Sequence, residues 1–305
     1  MNAFLNATYQ VARKEVLQHI RTKRLLIIGG IMMLLLVMVT LVFGPNFAKE
    51  FTRGGSGDFP NALENSVLAI YFGIGLIGGL QFTQLLAIVL TGDAVCSEWA
   101  NRTIFLLLSK PVSRVAFVTG KFLGNLFTVF AAISILFTLD YLVMQPFYAG
   151  SPDAAEVAGF FGMLGFILLG CAAFASISLF FSTLTKSTLM SFLLTLALWL
   201  IVFPLIGSIG LFTSLNSAES VDSQEEFFEQ DRIQNWLYLN PAADMQAGLK
   251  ALLPNDSGEF SDTLQFLNVF SIAPKNGGMA AFALIAYTVV FFAASVFVVK
   301  RRNFE

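Results

Sequence analysis

Charge is what this chain has least of. Asp, Glu, Lys and Arg make up 12% of its 305 residues, where soluble domains carry about a quarter. Two cysteines and one histidine exclude a disulfide framework and any conventional Cys/His metal cluster. Cys96 stands in a polar stretch and Cys171 in an apolar run, so both read as free thiols with packing roles. Neither a GxSxG nor an HExxH motif occurs. A phosphate-binding loop is missing too: Lys121 follows Gly120, but Phe122 stands where Ser or Thr is needed and no glycine lies at the required upstream position. No catalytic residue is expected, and no metal. The apolar runs lack paired carboxylates, which argues against the proton relay of a secondary transporter and the acid–base pair of an intramembrane enzyme.

What is plentiful is apolar. The chain is 56% hydrophobic with 33 phenylalanines, and its mean hydropathy is +0.74. A hydrocarbon core about 30 Å thick needs about 20 helical residues at about 1.5 Å each. Six runs meet that length, at about 25–43, 67–91, 115–144, 157–181, 188–212 and 279–299. The fold expected is an all-α polytopic membrane protein, one transmembrane domain over 1–305. Asp140 falls near the end of the third run, where it can reach the interface. The first 24 residues hold five basic groups and no small-residue cleavage site follows, so no cleaved signal peptide is expected.

Orientation follows from the basic residues. Counting alternate sides of six spans puts 13 of the 18 Lys and Arg on the side of both termini, while 16 of the 20 Asp and Glu lie opposite. The positive-inside rule makes the first side cytoplasmic and places the chain in the cell membrane, multi-pass. Residues 1–24 read as an amphipathic interfacial helix: Leu5, Tyr9, Ala12, Val16 and Ile20 share a stripe, with Arg13, Lys14, Gln18, His19 and Arg21 off it. Its basic side would face lipid headgroups; the alternative is an ordinary packed helix. Residues 213–278 form an extracytoplasmic helical cap between the fifth and sixth spans, acidic from Glu219 to Asp231 and with a helix from Ala243. That cluster is either a solvated face or a lure for cations or a basic partner. The GxxxG step Gly75/Gly79 allows close backbone packing, and Phe203-Pro204 should kink the fifth span.

The polar interruption at 92–121 organises the rest. A helix is expected from Ser97 to Leu108, with Glu98 and Arg102 at pairing distance along it. Pro111 ends it and Ser113 caps the third span. A short helix hung between two spans can pass rigid-body force to both; the plain alternative is a passive surface loop.

Here the residues resemble a known family, the permease subunits of ATP-binding-cassette exporters of the ABC-2 type. The resemblance lies in Glu98, Thr103, Leu106-Leu107-Leu108, Ser109, Pro111, Ser113-Arg114 and Gly120-Lys121, in Ala12-Arg13-Lys14-Glu15 before the first span, and in Leu239-Asn240-Pro241. Arg102 departs from it, standing where the family usually has glycine. The resemblance implies a half-transporter without a bound cofactor of its own, ATP being held by a partner. The partners implied are a cytoplasmic ABC ATPase in two copies and a second permease chain, identical or related, with membrane lipid around them and no nucleic acid. Residues 92–114 would be the coupling segment, with Glu98, Arg102, Thr103, Lys110 and Arg114 as its working residues. The third and fifth spans would line the path with Thr128, Ser134, Thr138, Ser191 and Thr195, although such hydroxyls commonly bond their own helix backbone. Sparse polarity suits a lipid, an amphipathic peptide or a hydrophobic drug. A non-transporting membrane anchor, recruiting a soluble partner through the same segment, is the reading from another class.

Overall fold

A computed structural model describes residues 2–23, 25–38, 80–101, 113–144, 154–206, 208, 237–250 and 276–301. All regular structure among them is helical. In chain order the helices are α1 (Asn2–Arg21), α2 (Leu25–Met38), α3 (Leu80–Thr91), α4 (Cys96–Ala100), α5 (Arg114–Met144), α6 (Ala154–Leu184), α7 (Thr188–Ala197), α8 (Pro241–Lys250) and α9 (Gly277–Arg301).

Four of the described helices are long and apolar enough to cross a membrane: Arg114–Leu142, Val157–Leu184, Thr188–Ile206 and Gly277–Arg301. They coincide with the third to sixth expected spans. Of the first expected span the described residues hold α2, apolar but shorter, and of the second they hold α3. The Gly75/Gly79 step and the acidic stretch from Glu219 to Asp231 lie outside the described residues.

The bundle is built around α6. Its apolar character runs around the whole helix, the pattern of an element buried on every side, and each residue from Gly170 to Leu179 is buried. Helices α3, α5, α7, α8 and α9 all pack on it. Between them lies a core of Leu86, Ile133, Ile167, Phe174 and Ile177, each at most 1% exposed. Phe174 meets Phe203 edge-on, and Phe203 meets Tyr287, so one aromatic series joins α6, the end of α7 and α9. In contrast, α7 and α9 turn large apolar side chains outward, among them Leu189, Leu200, Phe282, Val289 and Phe297. Apolar faces this broad need lipid or another protein surface rather than water.

Two polar details differ from the sequence expectation. Asp140 is fully buried in the bundle and does not reach the surface. The kink expected at Phe203-Pro204 takes the form of a π-turn over Leu198–Val202. Proline offers no amide hydrogen and its ring crowds the carbonyl four residues back, so the helix widens by a residue just ahead of it. Within that turn Trp199 donates its indole N–H to Gln84 Oε1 of α3 at 2.6 Å.

Most of the expected cap, 213–278, lies outside the described residues. Its described part, 237–250, is packed along the spans. Asn240 caps α8 by accepting the Ala242 amide (3.0 Å), with Pro241 at the first helical position where no amide is needed. The Tyr287 hydroxyl donates to Leu239 O at 2.8 Å. Tyr287 is ten residues into α9, about 15 Å along it, so this turn lies far along α9 from its start. Gly170 of α6 abuts Met245, and Gly248 abuts the ring of Phe166; a methyl group at either glycine would collide. Hence α8 is wedged between α6 and α9.

Candidate functional site

The site begins with a groove. Gly120 and Gly124 stand one turn apart on the same face of α5, and α1 lies against them. A Cβ on Gly120 would come within 2.7 Å of Thr8 O, and one on Gly124 within 2.7 Å of Ala12 O. Only glycine lets two helix backbones come this close. The face of α1 turned to α5 is therefore its polar one: Thr8, Glu15 and His19 are buried, while Phe4, Leu5, Tyr9 and Ile20 point outward. Arg13 and Arg21 are exposed as well. The expected interfacial helix has three faces in fact, one on α5, one apolar and outward, and one basic. Its apolar stripe is free to enter lipid.

Burying Glu15 brings a charge into the interface, and two other elements meet it there. Lys121 Nζ lies 2.8 Å from Glu15 Oε1 and 3.2 Å from Glu98 Oε1; Lys14 Nζ reaches the same Glu98 oxygen at 2.8 Å. Two lysines and two glutamates make the group neutral. Lys121, Glu15 and Glu98 are shut away from water, while Lys14 is about half exposed (48%). Lys121 also lies over the Phe117 ring, 5.4 Å from its centre. Desolvation costs several kcal/mol per buried ion, offset only when each charge meets its opposite at hydrogen-bond distance. That condition holds here. One turn along, His19 Nε2 sits 2.6 Å from Asn125 Oδ1.

Glu98 belongs to α4, and α4 is held from its other side by hydroxyls. Ser182 of α6 accepts the amides of Val95 (2.9 Å) and Cys96 (3.1 Å), serving as a cap supplied from another helix. Ser191 of α7 donates to Gly92 O at 2.7 Å, and Ser178 of α6 to Ile88 O at 3.1 Å. Lys186, between α6 and α7, lies 5.2 Å from the centre of the Trp99 ring. The segment from Gly92 to Ala100 thus touches α1, α5, α6 and α7 through directional contacts. Displacing it must displace them all.

The coupling residues named from sequence divide between those described and those not. Glu98 sits at the centre of the junction. Its carboxylate meets Lys14 and Lys121, whereas the pairing expected with Arg102 lies outside the described residues, as do Thr103 and Lys110. The expected helix Ser97–Leu108 is described from Cys96 to Ala100. Arg114 stands at the start of α5 and donates to Lys300 O at 3.3 Å, tying α5 to the last turn of α9, where a cation complements the helix dipole. Ser113 caps α5 as expected, accepting the Ala116 amide at 3.1 Å. Both cysteines are free and buried.

Three of the five hydroxyls assigned to a path are buried and bonded to backbone: Thr128 to Gly124 O, Ser191 to Gly92 O and Thr195 to Ser191 O. Ser134 is half-buried and Thr138 exposed. Gly124 and Ser182 were not singled out from the sequence, and Glu15 was named only within the Ala12–Glu15 stretch. A signal for the first was present, since Gly120 and Gly124 form a GxxxG step. No local pattern marks Glu15 or Ser182, whose partners are 106 and 87 residues away.

The junction's acids and bases saturate one another, and no group of three or more metal-ligating side chains occurs among the described residues. What it can do is transmit movement. In comparison with known proteins, the family model described as ABC-2 family transporter protein matches residues 9–304. No curated protein matches the chain.

Proposed function

The chain belongs to the ABC-2 transporter family, and from that membership we propose that it is the membrane permease of an ATP-driven exporter. Nucleotide is bound by a separate cytoplasmic ATPase in two copies, and a second permease chain completes the complex. Both termini and the α4 segment face the cytoplasm, and α8 approaches the bundle from outside. Substrate is hydrophobic or amphipathic, in keeping with the few unengaged polar groups on the spans.

The observation that carries this reading is the junction around Glu98. A force applied to α4 by the ATPase passes to α1 and α5 through Lys14 and Lys121, and to α6 and α7 through Ser182 and Ser191. Rigid-body rearrangement of packed helices is the usual response to such a push. The test is Glu98→Gln in the full complex, a change that keeps shape, removes one charge and leaves Lys121 paired with Glu15. Expected is a fall of about tenfold in substrate-stimulated ATP hydrolysis with ATPase binding retained. Unchanged stimulation with unchanged binding overturns the assignment. Binding without any nucleotide-dependent change in the distance between labels on α8 and α5 would favour the anchor reading instead.

A further inference from the structure

Asp244, in the first turns of α8, is fully buried, and neither of its carboxylate oxygens has a hydrogen-bond partner. Every residue of α8 from Pro241 to Gly248 is buried with it. Among the described residues, the ionisable groups that feel its charge are Tyr238, just ahead of the helix, and Tyr287 on α9. Both are acids, and both donate their hydroxyls elsewhere, to Asn276 O and Leu239 O. From α6 the nearby titratable group is the Cys171 thiol, beside the Gly170 that abuts Met245, and it bonds Thr83 O. No Lys, Arg or His among the described residues pairs with the carboxylate. One turn further along α8, Ala247 clusters with Ala280 of α9 and with Tyr238. Burial pushes the carboxyl up to about 9. The helix dipole favours the anion here, but it is small beside the desolvation of a fully buried carboxylate.

We propose that Asp244 is a proton-binding site that latches α8 in place: as a neutral acid it lets α8 seat between α6 and α9, and as a carboxylate it favours release of α8 from that seat. The seated form holds the proton and the released form, open to water, gives it up. Seating is therefore strongest in acid, weakens by about tenfold for each pH unit above the ordinary carboxylate range, and levels off above about pH 9. At the α4 junction, by contrast, Glu15 and Glu98 are each paired with lysine. The proposal stands apart from the permease assignment, because it concerns a property of this chain without its ATPase.

The experiment is hydrogen exchange on the full chain in lipid nanodiscs, from about pH 6 to about pH 9. Opening of α8 amides (243–248) is expressed relative to α6 amides (167–177) in the same sample, which removes the intrinsic pH dependence of exchange. Expected is a rise in relative opening of about tenfold per pH unit in the wild type. The slope should vanish in Asp244→Asn, which mimics the neutral acid, and in the smaller non-ionisable Asp244→Ser. A flat wild-type profile overturns the proposal, as does a slope that survives in either variant. Failure of both variants to insert overturns it too, since a neutral side chain is what the seat accepts.

Discussion

The α4 junction and the α8 seat both bury carboxylates in an apolar bundle, and they tolerate them by opposite means. At the junction Glu15 and Glu98 are surrounded by Lys121 and Lys14, with oxygen–nitrogen distances of 2.8 to 3.2 Å. At the seat Asp244 meets two tyrosines whose hydroxyls are engaged elsewhere and, among the described residues, finds no counter-charge. A buried acid must be paired or protonated. Pairing makes a joint held by opposite charges; protonation makes one that pH can loosen. The difference lies in what the neighbouring helices supply, since the acids themselves are nearly the same chemical group.

The sharpest way to break the comparison is to remove the counter-charge. Lys121→Met should leave Glu15 and part of Glu98 buried without compensation and cost about 3–5 kcal/mol, read as a lowered unfolding midpoint in detergent. Adding Glu15→Gln and Glu98→Gln to it should return much of that loss. At the seat the corresponding change runs the other way. Asp244→Asn should abolish a pH dependence of seating of about 1.4 kcal/mol per pH unit, so that between neutral and about pH 9 the variant holds α8 better than the wild type does. Stability measured against pH with both chains side by side checks the sign.

The groove beneath the junction comes next in size. Gly124→Ala forces a methyl against Ala12 O and Glu15 Cβ, and overpacking of this kind costs about 1–3 kcal/mol. The expected signature is stability and coupling falling together, because α1 must lift and draw Glu15 from Lys121. Smallest is Lys14→Ala. This lysine is half exposed and solvent screens its pair with Glu98, so thermal unfolding should show a loss of at most about 1 kcal/mol. A larger loss would place Lys14 inside the joint rather than at its rim.

Much of this architecture was legible beforehand. Four of the spans could be read from hydropathy and the Ser113 cap from a small hydroxyl after proline, while the helix expected from Ala243 starts two residues earlier, at Pro241. Each rests on residues a few positions apart, where propensity and capping act without distant help. The hydroxyls misled. Thr128, Ser191 and Thr195 looked like sparse polarity along a path, yet a buried hydroxyl takes the nearest carbonyl, and for Ser191 that carbonyl belongs to Gly92 on another segment. Asp140 misled similarly, because its position near a helix end says nothing of which neighbours close over it.

By itself the sequence determined that this chain lives in a membrane, that its helices lie where apolar runs exceed a bilayer's thickness, and that residues 92–121 are the polar break among them. These are properties of composition and short-range pattern. Tertiary structure alone decided which charges meet. Glu98 is 84 residues from Lys14, Glu15 is 106 from Lys121, and no periodicity links positions so far apart. The pairing depends on two glycines of α5 letting α1 approach, and the isolation of Asp244 depends on α8 being wedged where, among the described residues, no base stands. Electrostatic energy falls steeply with distance and depends on local dielectric, so the fate of a charge is settled by where the fold leaves it.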